Sequence, residues 1–247
     1  MDYLFLAAAA FAAGVLNTIA GGGTFLTFPA LVYTGVPIVA ANATSAVAVF
    51  PGYLGGAVGF RHEIATLERK RLLRIAAITA VGGLIGSLLL LVSSNRAFSI
   101  VVPFLLTTAT LVFAFGGRLQ IWAQQGRFGK PDGWGATLLV ALYGGYFNGG
   151  LGIVLLAVFA LWGMRDLNAM NGLKNALSFV VSAISVATFA AAGLVAWPQA
   201  VVMMVAATLG GYAGAPFARA LPERAVRGTV IAVGAAMSVI FFARLFV

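Results

Sequence analysis

Apolar residues run through this chain in blocks long enough to cross a bilayer, and two blocks are interrupted at matching places by glycine and asparagine. At roughly 20 residues per crossing, the pattern predicts helical segments over 3–34 (split near 21–23), 39–60, 73–93, 97–116, 134–163 (again broken), 168–192, 197–217 and 226–246. The polar stretch 117–133 between 97–116 and the second broken block reads as a linker. It divides the chain into a first membrane repeat over 1–116 and a second over 134–247. The first broken block carries Gly14, Asn17 and Ala20-Gly21-Gly22-Gly23-Thr24, then Pro29 and Asn42-Ala43-Thr44-Ser45. The second carries Gly145-Tyr146-Phe147-Asn148-Gly149-Gly150-Leu151-Gly152, then Asn171-Gly172-Leu173-Lys174-Asn175. Opening a helix inside lipid strands backbone N–H and C=O groups, which is tolerated only where protein or a polar cavity satisfies them. Paired breaks in two halves therefore point to a binding site between them.

Composition sharpens this picture. With 62% of residues hydrophobic, 9% charged and a mean hydropathy of +1.03, a soluble domain of this size has nowhere to hide its apolar surface. Asp2 stands where a cleavable signal carries basic residues, and the apolar block continues directly, so it reads as a membrane segment. The absence of cysteine excludes disulfides, a thiol nucleophile and thiolate metal sites. The net charge of +9 comes from basic residues in short loops, the pattern of cytoplasmic loops rather than a nucleic-acid face.

Those loops predict the topology. Arg61, Arg69, Lys70, Arg71 and Arg74 mark one cytoplasmic loop, and Arg118, Arg127 and Lys130 another two crossings later. A single crossing by the second broken block places Arg165 and the Arg219–Arg227 loop outside. A block that dips in and returns keeps both inside, so a re-entrant hairpin is expected. By analogy the first broken block is a hairpin from the outer side, although its charge-poor flanks also accommodate a bent single span. Each repeat is then one hairpin plus three spans, and an odd number of crossings inverts the second repeat relative to the first. Arg96 and Arg244 are left outside. The expected fold is an all-α polytopic membrane protein built from two inverted repeats, each a broken helical hairpin and three transmembrane helices.

At these motifs the chain resembles the sulfite exporter TauE/SafE family, also called the toluene sulfonate uptake permeases. The resemblance rests on Asn17, Ala20–Thr24, Pro29, Gly35, Pro37 and Asn42–Ser45, and in the second half on Asn148, Gly149, Gly152 and Asn171–Asn175. It implies a multi-pass protein of the bacterial inner membrane that moves sulfite, organosulfonates or other small anions, with linker 117–133 cytoplasmic. The halves are not identical: Gly21–Gly23 answer to Gly152-Ile153-Val154, and Thr44 to Leu173.

Asn171, Lys174, Asn175, Ser178, Ser182 and Ser185 follow helical spacing along one face of the 168–192 segment. An ionisable residue in a membrane segment is a functional-site candidate, and Lys174 would supply the counter-charge for an anion. The competing reading has Lys174 snorkelling to lipid headgroups from near the helix end. The three serines read as helix-packing contacts. Gly21, Gly22 and Gly23 would expose N–H groups at the start of a half-helix, where the dipole favours an anion, with Thr24, Asn17 and Asn148 as further donors. The expected substrate site thus comprises Asn17, Gly21, Gly22, Gly23, Thr24, Asn42, Thr44, Ser45, Asn148, Gly152, Asn171, Lys174 and Asn175. Gly52/55/56/59, Gly82/86 and Gly210/214 read as small-residue helix contacts, and any of these faces would serve a homodimer.

The acids Asp2, Glu63, Glu68, Asp132, Asp166 and Glu223 and the single His62 all fall at predicted ends or loops. No carboxylate or imidazole relay crosses the membrane, no metal or cofactor is expected, and a serine–histidine pair would have to draw on a loop residue. Enzyme chemistry is therefore set aside. An anion transporter is the leading expectation, with an anion channel and a membrane scaffold as its rivals.

Overall fold

The glycine breaks are where helices end in the computed structural model of the protein, which describes residues 1–20, 22–125, 133–164, 166–220 and 223–243. All the regular structure among these residues is helical. The first half holds α1 (Asp2–Ala20), α2 (Thr24–Tyr33), α3 (Ile38–Gly59), the short α4 (Arg61–Ala65), α5 (Arg69–Val92) and α6 (Asn95–Gln125). The second holds α7 (Trp134–Tyr146), α8 (Leu151–Leu161), α9 (Leu167–Ala191), α10 (Trp197–Ala220) and α11 (Glu223–Ala243). Ile38–Gly59, Arg69–Val92, Asn95–Val112 and Asn168–Ala191 are each long and apolar enough to span a membrane. Helix α6 runs to Gln125 instead of stopping at 116. Leu119, Ile121, Trp122 and three glutamines carry the helical pattern past Gly116-Gly117, whose cost of about 1 kcal/mol per glycine is too small to end it.

Both broken blocks are antiparallel hairpins. In the first, the Phe5 ring near the start of α1 lies 5.5 Å from that of Tyr33 at the end of α2, and Gly23 sits against the backbone of Ala13. The bent single span is thereby excluded for this block. In the second, Gly133 before α7 lies close to the Trp162 indole after α8, and Gly144 packs on Leu151. Gly150 closes the second tip with φ +74°, a left-handed conformation that costs other L-residues about 1–2 kcal/mol.

The helix pairings recur with the halves exchanged. Helix α1 packs along α10 as α7 packs along α5; α3 meets α10 as α9 meets α5; and α3–α9 and α6–α11 pair across the middle. Lipid tails give no hydrophobic drive for helix association, so close backbone approach at small residues replaces it. A Cβ on Gly14 or Gly210 would strike the carbonyl oxygen of Ala207 or Phe11 across the α1–α10 contact. On the α5–α7 contact, a Cβ on Gly86 or Gly145 would strike that of Leu142 or Gly83, and one on Gly82 would meet Ala141 and Leu138. Gly82, Gly86 and Gly210 are thus packing glycines as expected; the surroundings of Gly214 lie outside the described residues.

The open ends of the two hairpins meet different loops. The first shares with the α9–α10 loop a pocket of about 390 Å³, lined by Thr34, Val36, Pro37, Val195, Ala196 and Gln199. At the second, Trp162 lies against the start of α5, with the Arg71 guanidinium 5.7 Å from its ring centroid. The tips meet inside the bundle. Phe28 of α2 is fully buried, its ring 5.6 Å from both Phe147, in the second break, and Phe241 of α11, and 6.4 Å from Phe98 of α6. Each such pair adds roughly 0.5–1.5 kcal/mol beyond its buried area, which fixes the depth of both tips. Large apolar side chains such as Leu84, Leu88 and Val92 of α5 point outward, whereas threonines, serines and asparagines are buried.

Candidate functional site

Helix α9 brings the most polar face to the interior. Asp166 caps its start by accepting from the Asn168 backbone N–H at 2.9 Å, the arrangement that satisfies an orphan donor of the first turn. Two turns on, Lys174 is only 7% exposed. An amine snorkelling to headgroups would stand at the surface; this one is enclosed. Its Nζ donates to Asn171 Oδ1 at 3.2 Å, and it forms no ion pair among the described residues. Its methylenes pass Gly152, where a Cβ would lie 3.1 Å from Cδ. Gly152 is the second residue of α8, so the ammonium stem lies along the positive end of a helix dipole.

Helix α3 faces this surface with glycine. A Cβ on Gly56 would overlap the Asn175 carboxamide, and one on Gly52 would come within 3.4 Å of Asn17 Nδ2. These two glycines make room for site asparagines rather than for a neighbouring backbone; Gly55 and Gly59 face open space. Between them lies Tyr53, buried, whose hydroxyl donates to Asn148 Oδ1 at 3.3 Å and has the Thr24 side chain close by. Asn148 in turn donates from Nδ2 to Ser182 of α9 at 3.2 Å. Ser178, one turn from both Lys174 and Ser182, is fully buried and its hydroxyl has no partner among the described residues.

The structure thus brings Lys174, Asn171 and Gly152 together at the start of α8, with Asn175 against Gly56 of α3; Asn148 meets α9 two turns further on, at Ser182, and Thr24 lies near Tyr53. Asn17, in α1, reaches α3 one turn from Gly56, between Gly52 and Gly23. Gly22 and Gly23 open α2, their carbonyls accepting from Phe25 and Leu26 at 3.1 and 3.0 Å. Gly21 lies outside the described residues. The segment Asn42–Ser45 is placed elsewhere, in the first half of α3, and acts as ties. Asn42 Nδ2 donates to the Tyr146 carbonyl at 2.9 Å, Thr44 Oγ1 accepts from the Ala196 backbone at 3.0 Å, and the hydroxyls of Ser45 and Thr27 share a 2.6 Å bond. The resemblance put Asn42 in the expected site; in the fold its amide serves the Tyr146 carbonyl, and three residues on it has Ser45 where Asn171 has Lys174. Tyr53 was missed, and its signal was weak: a hydroxyl-bearing aromatic after Pro51-Gly52 in an otherwise apolar span.

The Asn42 tie carries a measurable consequence. Tyr146 ends α7, and the break removes the partner its carbonyl would find in a continuing helix. Replacing Asn42 by Ala leaves that part-buried oxygen without its partner, at a cost toward the lower end of about 1–3 kcal/mol. A lowered thermal midpoint of the detergent-purified protein, with unaltered secondary structure, is the expected result; an unchanged midpoint would remove the tie.

Two helical hairpins meeting tip to tip in an all-helical bundle with lipid-facing apolar surfaces define a multi-pass membrane protein of the transporter class. Comparison with known proteins agrees. The profile of the sulfite exporter TauE/SafE family matches residues 6–241, and the chain belongs to that family. It is 27% identical to a probable membrane transporter protein, ORF9, of Sinorhizobium over 95% of this chain and 90% of that one. It is 29% identical to the probable membrane transporter protein YfcA of Escherichia coli K12, covering 92% and 84% of the two chains. A probable membrane transporter protein of Haemophilus influenzae is 27% identical, covering 90% and 87%. No solved structure matches the chain.

Proposed function

We propose that this protein is a secondary transporter of small oxygen-rich anions, of the sulfite and organosulfonate class, working by alternating access between two inverted repeats in the bacterial inner membrane. The observation that carries the reading is Lys174: an enclosed amine with one neutral partner, lying along the N-terminus of α8. Taking an isolated charge out of water is expensive unless it is paired. The carboxylates on elements packed against α9 are Glu63 of α4 and Glu68 at the start of α5, and neither pairs with Lys174. An anion bound between the ammonium and the first-turn N–H groups of α8 supplies the missing counter-charge. The carboxamides of Asn171 and Asn175 and the free hydroxyl of Ser178 then offer neutral donors to its oxygens.

Alternating access is supported by the exchange of helix pairings between halves and by the different loops that each hairpin's open end meets. The basic loop at Arg61–Arg74 and the linker 117–133 are assigned to the cytoplasmic side on charge. An anion leaving a negative-inside cell gains roughly 2.3 kcal/mol per charge per 100 mV, enough to drive export with no coupling ion. The test is flux into proteoliposomes of labelled sulfite, thiosulfate, small sulfonates and small carboxylates, under imposed potentials of either sign. Saturable flux with counterflow of one of these anions is expected. Unitary conductance steps in a planar bilayer would replace the transporter with a channel, and no flux of any anion would overturn the reading.

A further inference from the structure

We infer that Tyr53 is a positioning residue that closes the anion site: its hydroxyl stabilises the arrangement with both hairpin tips together, through which a bound anion must pass. The inference rests on the transport reading above. Tyr53 is 4% exposed, on α3 between Gly52 and Gly56, the two glycines that face Asn17 and Asn175. Its hydroxyl meets Thr24, the first residue of α2, and Asn148, in the break between α7 and α8. Asn148 carries the chain of bonds on to Ser182 of α9. One phenol therefore lies against the tip of the first hairpin, bonds the tip of the second and, through Asn148, reaches the helix that bears Lys174. Both halves meet at this oxygen, and α9 is reached through Asn148.

Two properties make this more than a buried bond. A phenol has a single proton, so it donates to one tip and accepts from the other. In the structure it donates to Asn148 Oδ1 and its oxygen is left to accept from the neighbouring Thr24 hydroxyl; turning the proton to Thr24 sets two acceptor oxygens face to face at Asn148 and breaks that bond. The bond to the second tip is thus released when the proton turns to the first. Pro51, two residues earlier, lies inside α3 and removes one helix bond there, which gives the helix a bending point at this level. Tyr53 has no hydrogen bond to Lys174, Asn171 or Asn175, so it positions without holding the anion.

An interaction made in the closed state of the cycle, and not with the anion, affects turnover and leaves half-saturation alone. In Tyr53→Phe, the maximal rate of sulfonate counterflow in proteoliposomes is expected to fall about threefold to tenfold, the fold-change of one hydrogen bond. Half-saturation should stay within about twofold. Thr24→Val and Asn148→Ala should each slow turnover, and either combined with Tyr53→Phe should be no slower than the worse single variant, because one tie is being cut twice. Tyr143→Phe, which loses a hydroxyl bonded within the second hairpin to the Gly149 carbonyl, is the control and keeps the native turnover. Native flux with an unaltered maximal rate in Tyr53→Phe would overturn the inference and leave the anion reading intact. A fall in rate that merely follows the amount of folded protein, or a matching rise in half-saturation, would also overturn it. If the native protein carries no anion, the transport reading falls. The tie is then read from the same double-variant cycles on thermal midpoint, where additive effects would refute it.

Discussion

Lys174→Gln is expected to lose anion flux at least about thirtyfold and to be as heat-stable as the native protein, or more so. The two effects have opposite signs for one physical reason. Truncating a charged partner of a buried ion pair costs roughly 2–5 kcal/mol of binding, and 1.4 kcal/mol is tenfold. In the empty protein the same ammonium has no carboxylate, only the Asn171 carbonyl oxygen at 3.2 Å, so its enclosure is a cost to folding that glutamine removes. Glutamine also retains an amide that can serve Asn171. Residues kept at the expense of stability are those that function requires. Paired measurements of flux and thermal midpoint on one preparation decide the matter. A snorkelling lysine would leave both unchanged, and a structural lysine would lower both. Lys174→Arg keeps the charge on a planar, bulkier head. It should retain measurable flux at reduced rate, because the stem passes so near Gly152 that a Cβ there would lie 3.1 Å from it.

The residues that lent themselves to sequence reading are those whose role follows from local chemistry. Glycines in an apolar block announce a break wherever the chain goes next, and a lone lysine among asparagines announces a polar face at helical spacing. Charge bias in the loops was enough to predict that the second block returns on itself, and the Gly133–Trp162 approach agrees. The misplaced residues depend on partners distant in sequence. Asn42 looked like the counterpart of Asn171, but it serves the Tyr146 carbonyl 104 positions away. Thr44 ties a loop 152 positions away. Tyr53 matters only because two tips converge on it, and nothing in its own neighbourhood predicts that. The same limit separated the glycines. Gly52/55/56/59 shares the small-residue spacing of Gly82/86, yet its members divide between the site and open space, because spacing fixes a face and not what the face meets.

Gly86→Ala and Gly210→Ala are expected to be among the most destabilising single-methyl substitutions in the described helices. At each position the new Cβ would overlap a carbonyl oxygen of the partner helix, that of Leu142 for Gly86 and that of Phe11 for Gly210. A flexible side chain can rotate away from such an overlap; a backbone carbonyl moves only if the whole helix moves. Overpacking in a close-fitting interior costs about 1–3 kcal/mol where side chains yield, and separating two backbones along the contact should reach or exceed the top of that range. The expected signature is a lowered thermal midpoint and loss of the monodisperse peak in size-exclusion chromatography. Gly55→Ala and Gly59→Ala are the matched controls. Nothing lies within 4 Å of their added Cβ, and alanine is the better helix former by roughly 0.5–1 kcal/mol, so they should be neutral or mildly stabilising. Equal loss at Gly86 and Gly210 would follow from the exchange of halves that relates α5–α7 to α10–α1. Loss at only one would mean that the two hairpins are held by different forces despite their matching contacts. Tolerance at both would show that these helices are free to separate, and that the tips are held in place from inside the bundle, by Phe28 and the Tyr53 tie, rather than from its flanks.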